Sequence, residues 1–345
     1  YKVPKWQKKV IIPDSVSCIN TLFFSGCEEL EEVTLPNTLK NIPKFCFSGC
    51  SKLREVIIPD SVNSIDTYAF YNCGELKKVE LPNKLENISA NCFADCSKLK
   101  EIIIPDSVEH IDECAFYNCS ELEKITLPNT LKNIPKFCFS GCSNLKEIVI
   151  PDSVNCVAEG AFYNCSRLEK VVLPNTLKSI SAHCFFGCSN LKEIVVPDSV
   201  NCIDEFAFHK CVALEKIFIP QSVQIIGHSA FGDCRSLKKV RIPGSVKVIG
   251  LSAFFDTALE EVELQEGIEE IGESAFWVQS VKLKYIKLPS SLRKIGNRAF
   301  NNNDFRLVSL PSGIQEIGSN AFETVYSWSK QTVQYFVLKD SPAER

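Results

Sequence analysis

The chain has no methionine, only four histidines and three tryptophans, and a net charge of −4 over 345 residues. A balance so near neutral gives no pull toward nucleic acid or an anionic membrane. No apolar run approaches the roughly 18–20 residues that a membrane span needs. The usual catalytic signatures are missing as well: the chain has no GxGxxG, Walker loop, HExxH or GxSxG. His110, His183, His209 and His228 fall at four different positions of the repeat described next, so none recurs beside a nucleophile or metal partner. Neither a cofactor nor a metal ion is expected, and no enzymatic activity. No signal-peptide pattern opens the chain, and a start at Tyr1 is what a trimmed fragment would show.

What the sequence does have is a period. Phenylalanine returns every 23 residues at Phe24, Phe47, Phe70, Phe93, Phe116, Phe139, Phe162, Phe185, Phe208, Phe231 and Phe254, then less regularly at Phe276, Phe300 and Phe322. Proline keeps the same spacing from Pro13 to Pro243 and continues as Gln265, Pro289 and Pro311. A fixed period of this size means a stack of similar units, each able to bury its apolar face only against its neighbours. Residues 145–166 read LKEIVIPDSVNCVAEGAFYNCS. Leu145, Ile148 and Ile150 lead into Pro151 with strand-like alternation, so a short strand should end there. Val154 and Val157 form a second apolar pair, and a short helical or 3₁₀ turn is expected at Ala161-Phe162. Stacked at about 4.8 Å per coil, ~14 units predict a parallel-strand rod on the order of 65–70 Å long.

A longer period overlies the first. Up to residue 219 two unit types alternate, PDSV and PNTL, giving a dyad of 46 residues. The residue after proline runs Asp14, Asn37, Asp60, Asn83, Asp106, Asn129, Asp152, Asn175, Asp198. Asparagine spacers would keep like carboxylates apart, and Lys146-Glu147 followed by Glu169-Lys170 would set opposite charges face to face. Residues 220–322 form a uniform segment with Ile-Gly before each Phe turn, and 323–345 read as a C-terminal cap, all within one solenoid spanning 1–345. The last strand is expected at 333–338.

Of eighteen cysteines, ten keep the repeat spacing from Cys27 to Cys234, and Cys46, Cys92, Cys138 and Cys184 occupy a slot filled by alanine elsewhere. A site accepting Ala or Cys reads as a small buried apolar slot with reduced thiols. Cys18, Cys156 and Cys202 share a column with Asn41, Ser64 and His110 and are expected to be half exposed.

The pattern LxxIxIP…V..I…AF..C, over roughly residues 7–322, resembles the BspA-like, or treponemal-type, leucine-rich repeat family. The resemblance implies a leucine-rich-repeat right-handed superhelix. It also implies a cell-surface or secreted adhesin that binds host or microbial surface proteins, without catalysis, nucleic-acid binding or membrane insertion. An intracellular protein-interaction scaffold is the alternative. From the residues themselves, one outward strand position is apolar four times in succession, at Val149, Val172, Val195 and Phe218, and then turns charged at Arg241. Contiguous exposed apolar residues mark interaction surfaces, so these five are the candidate ligand-binding residues. The irregular segments 277–281 and 301–304 are the fallback.

Overall fold

In most coils the LxxIxI segment becomes a strand of three or four residues, typically with its central side chain buried and both neighbours exposed, as at Glu147–Val149. Proline then ends the strand because it can neither donate to a ladder nor continue the extended path. Two residues of a second short strand follow, as at Asn87–Ile88, and a phenylalanine turn closes the coil. The computed structural model describes residues 3–280, 282–323 and 334–337, in two compact units, Tyr1–Leu177 and Lys178–Arg345. Each unit is a stack of such coils with parallel strand pairing.

The 23-residue phenylalanines are the spine of both units. Phe24 and Phe47 stack with ring centroids 4.9 Å apart and 9° between planes, and Phe254 and Phe276 stack at 5.3 Å and 1°. A ring separation near the rise of one coil lets neighbouring rings within each unit touch, and all are buried.

The helical or 3₁₀ turn expected at each Phe is not formed among the described residues. The reason lies in where its N–H groups go. Cys46 and Ser48 donate within their own coil, to the carbonyls of Pro43 and Phe45. Phe45, Phe47 and Gly49 donate instead to Thr67, Ala69 and Tyr71 of the next coil. Positive φ at Phe45 (55°) and Gly49 (73°) makes this alternation possible and is incompatible with a helix. The second of these columns uses residues that tolerate the left-handed region, Gly26, Gly49, Asn72, Asp95, Asn118 and Gly141. The first carries bulkier side chains, including Phe45 and Tyr68, whose rings stack at 4.9 Å.

In the first unit the dyad of the sequence is a dyad of hydrogen bonding. From an Asp-type coil to the following Asn-type coil the outer strands pair over three residues: Lys9–Ile11 with Glu32–Thr34, Glu55–Ile57 with Lys78–Glu80, Glu101–Ile103 with Lys124–Thr126, and Glu147–Val149 with Lys170–Val172. The Asp14 and Asp60 carboxylates accept from the backbone N–H of Asn37 (2.8 Å) and Asn83 (3.1 Å) at this same junction. Thr38 and Thr130 donate across it to the carbonyls of Val16 and Val108, both at 2.7 Å. From Asn-type to Asp-type the outer ladder shrinks to one Glu32–Glu55 pair. It is absent between Lys78–Glu80 and Glu101–Ile103, and between Lys124–Thr126 and Glu147–Val149. Ser61, Ser107 and Ser153, which replace the threonines there, hold buried hydroxyls without partners.

The second strand holds that other junction, with Asp66 N–H donating to Ile42 O and Ala158 N–H to Ile134 O, both at 2.9 Å. Its ladder runs through Asn41–Ile42, Ser64–Ile65, Asn87–Ile88 and His110–Ile111, then stops before Asn133–Ile134. The residue after this strand is Pro135, where the continuing ladder has Ser89.

The second unit carries an unbroken second ladder of seven strands, from Ser179–Ile180 to Glu316–Ile317. Gly227, Gly250, Gly272, Gly296 and Gly318 each donate to the isoleucine carbonyl of the previous coil at 2.7–3.0 Å. The coils approach so closely that a Cβ on Gly250 would lie 2.6 Å from Ile226 O. Leu307–Leu310 pairs with Gln334–Val337, which is where the last strand was expected; the rest of the expected cap lies outside the described residues.

Candidate binding surface

The outer strands present their flanking residues on one face of each unit. In the first unit the position after the buried strand centre carries Ile11, Ile57 and Ile103 on Asp-type coils, separated by Thr34, Glu80 and Thr126. The polar spacing ends with Val172, so Val149 (63% exposed) has Val172 (41%) directly opposite in the ladder. In the second unit Val195 (75%) has Phe218 (62%) opposite. The structure therefore brings the predicted residues together as two exposed apolar cross-strand pairs, one per unit. Arg241 differs, since it forms an ion pair with Glu263 at 3.1 Å.

Charged rows border these pairs. Lys9–Glu32 (2.9 Å), Lys239–Glu261 (2.8 Å) and Lys78–Glu55 (3.6 Å) follow the expected opposite-sign order across strands. It fails at Glu32 and Glu55, which face each other in register and take their lysines from the far sides. Around Arg241, an open groove of about 1180 Å³ is lined by Lys216, Lys239, Glu261 and the exposed Tyr285. In the fallback segment 301–304, Asn301, Asn302 and Asn303 are buried, with Asn302 Nδ2 donating to Val278 O at 2.7 Å, while Asp304 is exposed.

The cysteine column has more structure than an apolar slot. Cys50, Cys73, Cys96, Cys165 and Cys211 each direct their thiol to a phenylalanine carbonyl of the preceding coil at 3.1 Å. Where cysteine stops, Asn303 Nδ2 keeps the cross-coil bond, reaching Phe276 O at 2.9 Å, whereas Thr257 Oγ1 turns to Phe254 O of its own coil at 3.0 Å. All eighteen thiols are free. Burial is the main force raising the pKa of Cys50, to about 12. Cys18 and Cys156 are more exposed than the column suggested, while Cys202 is half-buried as expected. Burial and then the Asp204 carboxylate 2.8 Å away push its thiol to about 12. Among the described residues no set of three or more His, Cys, Asp and Glu is placed to hold a metal ion, and no helix is long and apolar enough to cross a membrane.

Sequence reasoning missed a second group of aromatics, on the Phe-turn face of the second unit, where Phe186 and Phe206 meet His183, His209 and His228. Read one column at a time, these residues show no repeat, because they are drawn from neighbouring positions of successive coils.

Parallel three-residue strands, a phenylalanine spine and 23-residue coils define a leucine-rich-repeat solenoid. The chain belongs to the BspA type leucine rich repeat family, whose model matches residues 5–123, 63–172, 109–236, 155–280 and 278–337. It is similar to a leucine-rich repeat protein from Bacteroides ovatus at 30% identity, with 96% of this chain and 92% of that one covered and a TM-score of 0.87. A leucine rich cell surface protein from Faecalibacterium prausnitzii matches at 25% identity over 97% and 89% of the two chains, with a TM-score of 0.56. A leucine-rich repeat protein from Eubacterium ventriosum shares the fold at 21% identity, covering 88% and 86%, with a TM-score of 0.50. No curated protein sequence matches the chain.

Proposed function

We propose that the chain is a non-catalytic binding protein that acts at the cell surface as an adhesin, gripping a host or microbial surface protein through its outer strand face. The observation that carries this reading is the pair of exposed apolar contacts, Val149–Val172 and Val195–Phe218, set among exposed Lys and Glu rows. An apolar centre with a charged rim is the anatomy of a protein-binding patch, and Phe218 is its natural anchor. The cell-surface description of the Faecalibacterium relative supports the location.

The test is binding of the purified chain to a panel of immobilised host extracellular and microbial surface proteins. Phe218→Ser with Val195→Ser, and Val149→Ser with Val172→Ser, should keep the far-ultraviolet spectrum while at least one pair weakens binding by roughly 2 kcal/mol. Folded double variants that bind like the parent would remove the strand face from consideration. The free, buried thiols favour a second reading, an intracellular interaction scaffold, because such thiols persist in a reducing compartment. Surface proteolysis of intact cells separates the two.

A further inference from the structure

Three of the four histidines of the chain meet on the Phe-turn face of the second unit. His183 stacks on Phe206 with centroids 4.9 Å apart, and His228 lies 4.7 Å from the same ring. His209 meets Phe206 edge-on at 5.5 Å and Phe186 at 5.1 Å, with Lys210 Nζ 5.6 Å from the Phe186 ring centre. His209 is the buried member of the group, its side chain 14% exposed. Its Nδ1 is buried without a hydrogen-bond partner. Gly232 of the next coil makes the slot: a Cβ there would stand 2.5 Å from that nitrogen. The opposite ring edge, Nε2, is 3.5 Å from Asp233 Oδ2. Arg235 holds Asp233 at 2.7 Å and reaches Asp256 at 3.0 Å.

A neutral imidazole suits this slot, with its proton on Nε2 toward Asp233 and the Nδ1 lone pair against the bare Gly232 backbone. An imidazolium does not, because a second N–H would be buried with no acceptor. We propose that this cluster is an acid-responsive latch: the turns carrying His209 and Gly232 stay packed while the imidazoles are neutral and loosen when they take up protons. The charged and titratable groups facing His209 are Lys210 on its own coil, His183 on the preceding coil, and His228 and Asp233 on the following one. Only Asp233 favours a proton on His209, and Arg235 competes for that carboxylate. Burial outweighs the carboxylate and holds His209 below the ordinary histidine value. A depressed pKa in the folded state means that the latch contributes in full above the unfolded value of about 6.5 and loses that contribution as pH falls below it.

The test uses the whole chain. Imidazole resonances are followed by NMR from pH 8 to pH 5, together with amide exchange corrected for its intrinsic pH dependence. His209 should titrate below the ordinary histidine value of about 6.5. Protection at Gly232, Asp233 and Cys234 should fall roughly tenfold between pH 8 and pH 5.5, while Tyr71, Asn72 and Cys73 of the first unit stay unchanged. Asp233→Asn should lower the His209 midpoint further, and His209→Gln should abolish the pH dependence of exchange. If His209→Gln does not fold, the titration and the Asp233→Asn shift still decide. A His209 midpoint at or above about 6.5, or protection that does not respond to pH, overturns the latch.

Discussion

The alternating coils of the first unit and the glycine-bearing coils of the second stack the same phenylalanine spine with different cross-coil bonds. In the first unit the Asp-to-Asn junctions carry the full outer ladder and the Asn-to-Asp junctions rest mainly on the second strand, whose ladder also crosses one Asp-to-Asn junction, from Ser64–Ile65 to Asn87–Ile88. In the second unit a glycine N–H closes the second ladder at each junction from Gly227 to Gly318, while its outer ladder still skips from Lys216–Phe218 to Lys239–Ile242. Glycine permits this because the coils come too close there for a Cβ. At the same position of the first unit Asp66, Asp112 and Ala158 make the same bond at 2.9 Å, while Pro43 and Pro135 have no N–H to give. A uniform repeat can use one junction throughout, and an alternating repeat needs two.

The part common to both units should be the costliest to damage. Phe139→Ala and Phe254→Ala each delete a fully buried ring stacked between others, and each should cost about 3–5 kcal/mol in urea unfolding. A much smaller loss in only one unit would show that the spine is not shared equally. Next comes the coil approach that separates the units. Gly250→Ala should cost roughly 1–3 kcal/mol because its methyl group meets the Ile226 carbonyl. Ala158→Gly, at the matching position of the first unit, should cost no more than about 1 kcal/mol.

Much of this was legible beforehand. The period gave the coil length, the strand before each proline, the buried Phe and Cys columns and the exposed row from Val149 to Phe218. The dyad was legible as a pattern, and its cause lay deeper than charge spacing: Asp14 and Asp60 each accept a backbone N–H of the next coil, and Thr38 donates a hydroxyl to the previous one. Such bonds join residues a full coil apart and leave no local signal. The turn was read as helical because Ala-Phe suits a helix, but cross-coil acceptors took every second N–H. The histidine cluster escaped because coil stacking, which one column alone does not show, brings its members together.

Smaller effects sharpen the comparison. Cys156 and Cys202 occupy the same column in different units, and the raised Cys202 thiol leaves it less thiolate at any pH below about 12. Native alkylation at pH 7.5 should therefore modify Cys156 several-fold faster than Cys202, with the gap narrowing as pH rises. Equal rates would mean that Asp204 does not hold the Cys202 thiol. Pro135→Ser should change stability by less than about 1 kcal/mol. It should also give residue 135 a protected amide, as the second ladder extends from Ile111 to Ile134.

The central claim, that the sequence dyad is a hydrogen-bonding dyad, is tested most directly by amide exchange at one position of every coil in the first unit. Ile12, Ile58, Ile104 and Ile150 donate to Thr34, Glu80, Thr126 and Val172 at 3.0–3.3 Å, whereas Leu35, Leu81 and Leu127, at the same place in the intervening coils, make no such bond. The account predicts slow exchange at the four isoleucines and exchange roughly tenfold or more faster at the three leucines. Equal protection across all seven would contradict it.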